Sequence, residues 1–329
     1  MKGHSKLFLS CLLAILALAA CQEKQLLPKS GGRPYEVLVV GDEDSVLYSV
    51  LSADMVGLPH AEPCFDVSEI MPSQFKDNYE LARNIVMLKI DSVRCRTSEV
   101  LVQENVYARP QVIVSVVAPD AEQLGRFLSK KGNLLRNYLI KAELSRVEQE
   151  LERKSNVKAE ETVRKMFGVG MRVPTDMIAS KVGNDFLWLS NNANSGMANI
   201  CLYTVGIGDF RQQRDSVMRI NILGEHDNMY MLTSSIASTV GNKGKSTTIR
   251  GLWEMRNDAM GGPFIAYVKP LAQRKNRRLV AEAFVYAPES KKRDILRRLE
   301  ASLYTLNYTK LVEREVVASE GRTRPSDRN

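Results

Sequence analysis

A glycine-rich segment from Thr239 to Ser246 contains the residue types that bind phosphate groups in nucleotide-binding proteins. A phosphate-binding loop needs glycine where Thr239 stands, so that backbone N–H groups can enclose the phosphates, and a helix after the serine. Residues 247–249 are Thr, Thr and Ile instead, and such β-branched residues favour a strand. The segment is therefore predicted to be a hairpin loop, and no cofactor is expected.

Histidine is too scarce for the usual metal and triad chemistry. His4 lies in the N-terminal segment, so only His60 and His226 remain, each in a predicted loop. The run from Glu225 to Asp227 would alternate its side chains in an extended chain, which does not bring them onto one metal ion. The sequence thus predicts no metal site and indicates no catalytic residue. Paired carboxylates stay open, because acidic residues are abundant and their spacing in the fold is not visible in the sequence.

The region around Trp253 is the first candidate for an interaction surface. On a strand, Arg250 and Glu254 would share one face and Trp253 would lie on the other. Gly261 and Gly262 follow in a loop and lack a Cβ, so another backbone can approach them closely. A buried tryptophan that anchors the core is the alternative interpretation.

The N-terminal segment predicts export. Lys2 and Lys6 precede an apolar run from Leu7 to Ala20 that contains no acidic residue. A basic start, a short apolar stretch and small residues at its end are typical of a secretory signal peptide. The run is too short to span about 30 Å of hydrocarbon comfortably. We expect residues 1–20 to be removed, which lowers the net charge from +8 to +6 because two lysines are lost.

The segment from Leu18 to Cys21 resembles the lipobox of bacterial lipoproteins. The resemblance implies that Cys21 receives a lipid and becomes the new N-terminus, and that palmitate is among the acyl chains. Several chains on one residue would hold the protein firmly at a membrane. Gln22 rather than an aspartate follows the cysteine, which by the same resemblance favours the outer membrane. Whether the body faces the periplasm or the cell surface stays open.

A local excess of basic residues forms a second candidate site. Residues 269–298 contain ten Lys or Arg and three acidic residues. Such a cluster would attract anionic head groups or an acidic partner, although a charged turn and a solvated helix face are the simpler interpretation. Nucleic acid is not expected, because the chain is exported and no aromatic residues are interleaved with the basic ones. The candidate patch consists of Arg274, Lys275, Arg277, Arg278, Lys291 and Lys292.

The pattern of helices and strands predicts an α+β protein. A long helix begins after Asp120, with Gln123 at capping-box spacing, and a charged stretch from Glu143 to Lys158 is expected to be solvated. Cys64 and Cys201 have apolar neighbours, and Cys64, Cys95 and Cys201 are expected to be buried thiols with at most one disulfide among them. The predicted strands are residues 35–40, 85–90, 100–107, 111–117, 169–173, 185–189, 199–205, 230–233, 247–255, 263–268 and 278–286.

The sequence before the first long helix, Val-Val-Ala-Pro-Asp, is echoed by Val-Tyr-Ala-Pro-Glu before the last one. This echo predicts two similar units, each a mainly antiparallel sheet backed by helices. The predicted domains are a signal peptide at 1–20, a lipid-anchored tether at 21–34, a first unit at 35–168, a second unit at 169–308 and a polar tail at 309–329.

Several motifs together resemble a Bacteroidota lipoprotein family of unknown function of the DUF4837 type. The resemblance covers Leu26 to Asn307, with departures at Cys64 and after Thr309, and it implies lineage and location but no activity. The second half also resembles sheet-and-helix domains of the PsbP and Mog1 type, which are mostly binding or assembly modules. The motifs are residues 27–28, 65–68, 108–111, 186–189, 214–217, 250–253, 260–264 and 285–288.

Two functions remain open from the sequence. One is a non-catalytic binding or assembly module of the cell envelope, held at the membrane by Cys21 and meeting an envelope protein partner. The other is an envelope hydrolase that uses a carboxylate pair in a cleft between the two units. A close pair of buried acids in a large pocket would favour the enzyme, which is the less expected of the two.

Overall fold

The computed structural model describes residues 26–43, 45–241, 245–271 and 276–307. The predicted signal peptide, Cys21, Arg274, Lys275 and the predicted tail at 309–329 lie outside these ranges. The described chain forms two sheets backed by helices, so the predicted α+β class with two units is confirmed.

The first sheet has five strands in the order β2-β1-β3-β5-β4. Its strands are β1 (Glu36–Val40), β2 (Asp66–Ile70), β3 (Asn84–Ile90), β4 (Glu99–Glu104) and β5 (Val112–Ala118). Helices α1 (Val46–Leu51) and α2 (Ala121–Arg153) belong to this unit, and both pack into the core on one face of the sheet.

The predicted antiparallel pairing does not describe the first sheet, where β2, β1, β3 and β5 are parallel and only β4 is antiparallel to its neighbour β5. A parallel pair needs a crossover connection, and α1 and the segment with turns at Pro72–Gln74 and Asp77–Tyr79 provide two of them. Strands β1 and β3 are buried on both faces, as in parallel sheets, and their nearly continuous apolar runs are the sequence feature that indicates this.

The second sheet is antiparallel throughout, in the order β6-β7-β8-β12-β11-β10-β9. Helix α3 (Val157–Phe167) precedes it, α4 (Phe210–Asn221) covers one face and α5 (Arg293–Tyr304) covers the other. The strands are β6 (Ala179–Gly183), β7 (Phe186–Ser190), β8 (Met197–Gly206), β9 (Met231–Gly241), β10 (Thr247–Met255), β11 (Gly261–Pro270) and β12 (Arg277–Tyr286).

Most predicted strands are confirmed, but the stretch at 169–173 is not a strand: Gly170 makes a single bridge with Asn307. Strands β2 and β6 were not predicted, because each is short and carries charged or small residues at an edge of its sheet. The glycine-rich segment connects β9 to β10 in an antiparallel pair, so the predicted hairpin is confirmed.

One apolar core runs through both units. Leu135 and Leu139 of α2 lie in the same buried cluster as Leu296 and Leu299 of α5. The long helix therefore packs on its own sheet and on the last helix of the second unit. The two units are joined into a single packed structure because both bury apolar surface in the same cluster.

Helix α2 begins directly after Asp120, as this capping residue predicts, and it extends to Arg153, into the charged stretch that follows Glu143. The Asp120 carboxylate accepts a hydrogen bond from the Gln123 backbone N–H at 2.7 Å. The charged stretch after Glu143 was predicted to be solvated, but Glu143 and Arg146 are buried. Arg83 donates two hydrogen bonds to the Glu143 carboxylate at 2.9 and 2.8 Å, so each buried charge has a partner.

The second unit contains a fully buried ion pair between α4 and β12. Arg214 donates to the Glu282 carboxylate at 2.7 Å, and both side chains are 0% exposed. The Tyr203 hydroxyl also donates to Glu282, and Thr233 accepts from Arg214 at 2.9 Å. The Arg214 guanidinium lies 4.2 Å from the centre of the Phe264 ring. These contacts fix the helix over the sheet.

Replacing Glu282 by leucine should lower the free energy of unfolding by about 3–5 kcal/mol, because it leaves the Arg214 charge buried without a partner. The double variant Glu282→Leu/Arg214→Met should recover most of the lost free energy of unfolding, because it leaves no charged side chain to be removed from water on folding. Urea denaturation measures the free energy of unfolding of both variants.

The exposed pair of Arg277 and Asp185 is the matched control for this experiment. Asp185→Asn should change the free energy of unfolding by less than about 1 kcal/mol. A double variant as unstable as Glu282→Leu alone would contradict the role given to the buried charge.

Candidate functional site

The candidate surface around Trp253 is mostly internal. Trp253 is 2% exposed, and its indole N–H donates to the Val285 carbonyl at 3.3 Å. A Cβ on Gly262 would lie 2.1 Å from the Val285 oxygen, and one on Gly261 would lie 2.9 Å from the Trp253 oxygen. Both glycines therefore allow close packing between strands rather than the approach of a partner.

Arg250 and Glu254 do not complete a surface with Trp253. Arg250 forms an ion pair with Glu300 of α5, on the opposite face of the sheet from the Trp253 ring. Glu254 is exposed. Alternation along β10 thus separates the five predicted residues, and they do not form one accessible site.

The predicted basic patch is also divided. Arg277 binds Asp185 at 2.8 Å, and Arg278 donates to the Gly206 and Gly208 carbonyls. Lys291 and Lys292 lie beyond the other end of β12, about 30 Å away along a ten-residue strand. Lys292 is buried, and its ammonium group donates to the Ser290 carbonyl at 2.9 Å. The four described residues therefore do not share a patch.

A large cavity lies where the two units meet, and we call it the junction cleft. It has a volume of about 700 Å³, between the end of α2, α3, β11 and the end of α5. Four carboxylates line it, with three basic side chains and two tyrosines. These residues are Glu148, Glu152, Glu160, Glu161, Arg164, Arg172, Lys269, Tyr267 and Tyr304.

Within the described ranges, one of the four carboxylates, Glu160, has an ion-pair or hydrogen-bond partner. Glu160 accepts from Arg172 at 3.0 Å and from the Val173 backbone N–H at 3.2 Å. Burial raises the pKa of Glu148, and the neighbouring carboxylate of Glu152 raises it further. Burial lowers the pKa of Lys269, whose ammonium group donates to the Leu306 carbonyl at 2.9 Å.

The volume and lining of the junction cleft suit a small polar ligand. Small-molecule sites commonly enclose about 300–1,000 Å³. Carboxylates without a cationic partner attract positively charged groups on a ligand. Glu148 is half-buried and Glu152 is exposed, so the two do not form the buried acid pair that would indicate hydrolysis.

Sequence analysis did not find the junction cleft. Glu148 and Glu152 fall in the stretch predicted to be a solvated helix face, and nothing in their spacing places them against β11. Their separation of four positions on one helix does indicate that the two carboxylates are neighbours. This four-residue spacing is the sequence feature from which the pair of carboxylates could have been predicted.

The cysteines and the two remaining histidines lie in the environments that the sequence predicts. Cys64, Cys95 and Cys201 are free and buried, and burial raises the pKa of the Cys201 thiol. His60 and His226 lie in exposed loops. Across the described ranges, no three His, Cys, Asp or Glu residues are grouped to hold a metal ion. No helix within them is long and apolar enough to cross a membrane.

Residues 156–305 match the family model described as Domain of unknown function (DUF4837), and residues 30–152 match Domain of unknown function (DUF8532). Each part of the chain is thus similar to a domain of unknown function, and neither model alone covers half of the chain. The DUF4837 region contains the second sheet with α3, α4 and α5, and the DUF8532 region contains the first sheet with α1 and almost all of α2. The junction cleft takes residues from both regions and, with Leu306 and Asn307, from just beyond the end of the DUF4837 match.

Two solved structures are similar in part. The Ran-binding protein Mog1p of Saccharomyces cerevisiae is 13% identical, with 44% of this chain and 94% of that chain covered and a TM-score of 0.31. A mutant of protein Mog1 is 11% identical, with 43% and 90% covered and a TM-score of 0.30. No curated protein sequence matches the chain.

Replacing Glu152 by glutamine should lower the pKa of Glu148, because it removes the neighbouring negative charge that raises it. An NMR titration of the Glu148 carboxyl carbon measures the change. Glu161→Gln is the control, since that residue lines the same cleft but does not contribute to the shift at Glu148. An unchanged pKa in Glu152→Gln would show that burial alone acts on Glu148.

Proposed function

We propose that the protein is a non-catalytic binding module of the cell envelope, anchored at the outer membrane through a lipid on Cys21. The observation that carries the binding assignment is the junction cleft, where three carboxylates form no ion pair with another described residue. The N-terminal sequence supports the anchor, and the resemblance to a Bacteroidota lipoprotein family supports the location.

A short connection to the anchor would keep the body close to the membrane. Within the predicted tether, Pro28 accepts a hydrogen bond from the Arg109 backbone N–H at 2.8 Å, and Gly31 donates to the Leu81 carbonyl at 2.8 Å. Seven residue steps separate Cys21 from Pro28, which is at most about 25 Å of extended chain. The free part of the tether is thus shorter than the predicted residues 21–34.

The ligand of the junction cleft would carry amine or guanidinium groups. Glu148 and Glu152 lie one helical turn apart, and Glu161 lines the same cavity from α3. The basic residues Arg172 and Lys269 are already bound, to Glu160 and to the Leu306 carbonyl. The third basic residue, Arg164, is a single cation beside the three carboxylates that form no ion pair in the described structure, so the lining keeps an excess of negative charge.

The Cys21→Ala variant should move from the membrane fraction to the aqueous fraction of cells, because a single residue carries all the acyl chains in this proposal. Fractionation followed by immunoblotting measures it, and mass spectrometry of the wild type should find the acylated cysteine. Cys64→Ala is the matched control and should stay with the membrane. Persistent membrane association of Cys21→Ala would contradict the anchor.

Spermidine, a polyamine with three cationic groups, is a suitable probe of the junction cleft. Glu148→Gln/Glu152→Gln should weaken its binding by about tenfold or more, since two charge-assisted hydrogen bonds are lost. Isothermal titration calorimetry measures the affinity. Glu254→Gln removes an exposed acid elsewhere and should leave it unchanged. Equal weakening in the control would show non-specific attraction to the surface.

A hydrolase is the second candidate, because burial and the neighbouring Glu152 raise the pKa of Glu148. A general acid in glycoside hydrolysis needs a raised pKa beside a second carboxylate, but here Glu152 is exposed, so binding is the function that the lining supports better. Turnover of chromogenic glycosides that is lost in both Glu148→Gln and Glu152→Gln would favour this function over binding.

A further inference from the structure

The outer edge of β4 is an exposed apolar strand. All six of its residues are exposed, including Val100 at 46%, Leu101 at 58% and Val102 at 39%. The strand ends the order of the first sheet, so about half of its backbone N–H and C=O groups point away from β5. An edge of this kind is a template for pairing with another strand.

The other three sheet edges in the described part of the chain carry features that oppose such pairing. Strand β2 carries Asp66 and Glu69, β6 contains Lys181, and β9 is interrupted by two register shifts against β10. Charges and bulges of this type are how native sheets protect their edges. Strand β4 pairs with β5 in continuous register and has three apolar residues at its centre.

Helix α2 runs alongside β4 and widens the apolar edge into a groove. Ser98, just before the strand, donates to the Gln123 carbonyl at 3.4 Å. At the other end, Glu104 and Tyr138 line a cavity of about 470 Å³, and the Glu104 charge adds to burial in raising the pKa of Tyr138. Leu134 lies one turn before Tyr138 and is also exposed.

The register shows which side chains face this helix. Val100, Val102 and Glu104 pair with Val116, Val114 and Val112, and these three valines belong to the core cluster under α2. We define the edge groove as the outer edge of β4 together with Leu134 and Tyr138. An added strand would place every second side chain against the helix side of this groove.

We propose that the edge groove binds an extended segment of a protein partner, with alternating apolar residues flanked by Lys or Arg. The flanking charges follow from Glu99 and Glu104, one at each end of β4, and neither forms an ion pair with another residue that the structure describes. A basic residue opposite each acid would be a favourable cross-strand pair. The proposal is independent of the lipid anchor and of the junction cleft.

A second copy of this chain does not suit the edge groove. Two β4 strands paired antiparallel about a two-fold axis would place Glu99 opposite Glu104 of the copy at both ends. Like charges directly opposite each other destabilise a strand pair. Charge complementarity therefore selects a different, basic partner.

The test uses a fluorescent peptide with the core Lys-Val-Thr-Val-Thr-Lys and a second peptide with glutamate in place of both lysines. Fluorescence anisotropy with the full chain in detergent should show that the lysine peptide binds at least about fivefold more tightly at low ionic strength. Glu99→Gln/Glu104→Gln should remove most of this preference.

The variant Val100→Thr/Val102→Thr keeps β-branched side chains in the strand and removes the apolar contact. It should weaken binding of the lysine peptide by about tenfold or more. Val240→Thr makes the same change on the exposed edge strand β9 and should have no effect.

Three results would overturn the proposal. The first is equal binding of the two peptides by the wild type, and the second is unchanged binding by Val100→Thr/Val102→Thr. The third is equal binding of a lysine peptide in which the two central residues, threonine and valine, are both proline, because one of two successive N–H groups must point at β4 if the peptide adds as a strand. A wild-type dimer in sedimentation experiments that dissociates in Val100→Thr/Val102→Thr would assign the edge groove to a second copy and would likewise overturn it.

Discussion

The N-terminus of α5 is held by a carboxylate from the other unit, and the arrangement of the two units depends on this contact. Glu62 accepts hydrogen bonds from the backbone N–H groups of Lys292, at 2.9 and 3.1 Å, and of Arg293, at 2.9 Å. No side chain of the helix caps this end, so the first N–H groups would otherwise lack acceptors in a buried position. The Arg293 side chain also binds Asp66 at 2.9 Å. Because the far end of α5 forms one wall of the junction cleft, the position of its N-terminus determines the shape of the cleft.

Buried charges continue along α5 and keep it between the units. Arg250 of β10 and Arg297 both bind Glu300, and they lower the pKa of this carboxyl although its burial acts in the opposite direction. The Tyr35 ring at the start of the first unit lies 5.9 Å from the Arg297 guanidinium. Removing one member of such a cluster leaves an uncompensated charge in the interior. Apolar packing between α2 and α5 therefore provides the attraction, while the ion pairs restrict how the helices are arranged.

Local sequence determines the elements whose ends and faces depend on nearby residues. Asp120 and Asp209 cap helices as their spacing predicts, and Gly168 ends α3 with a positive φ of 67°. The contacts that join the units involve residues far apart in the sequence: Glu62 reaches α5 across 230 positions, and Glu143 reaches Arg83 across 60. A charged residue in a helix is predicted to be exposed to solvent unless the strand or helix that packs against it is known. Glu143 was therefore predicted to be solvated, and most of the strands could be located from the sequence without their order.

The order of the strands decides what an apolar sequence means. Val100 to Val102 and Val37 to Val40 are both apolar runs in strands of the same sheet, yet the first is exposed and the second is buried. Strand β1 lies between two parallel neighbours, whereas β4 lies at the edge. The same reasoning applies to Trp253, whose strand is covered by α4 on the tryptophan side and by α5 on the other. Candidate surfaces chosen from residue type alone therefore fell in the core, and the two accessible sites, the junction cleft and the edge groove, are made by elements that meet only in the folded chain.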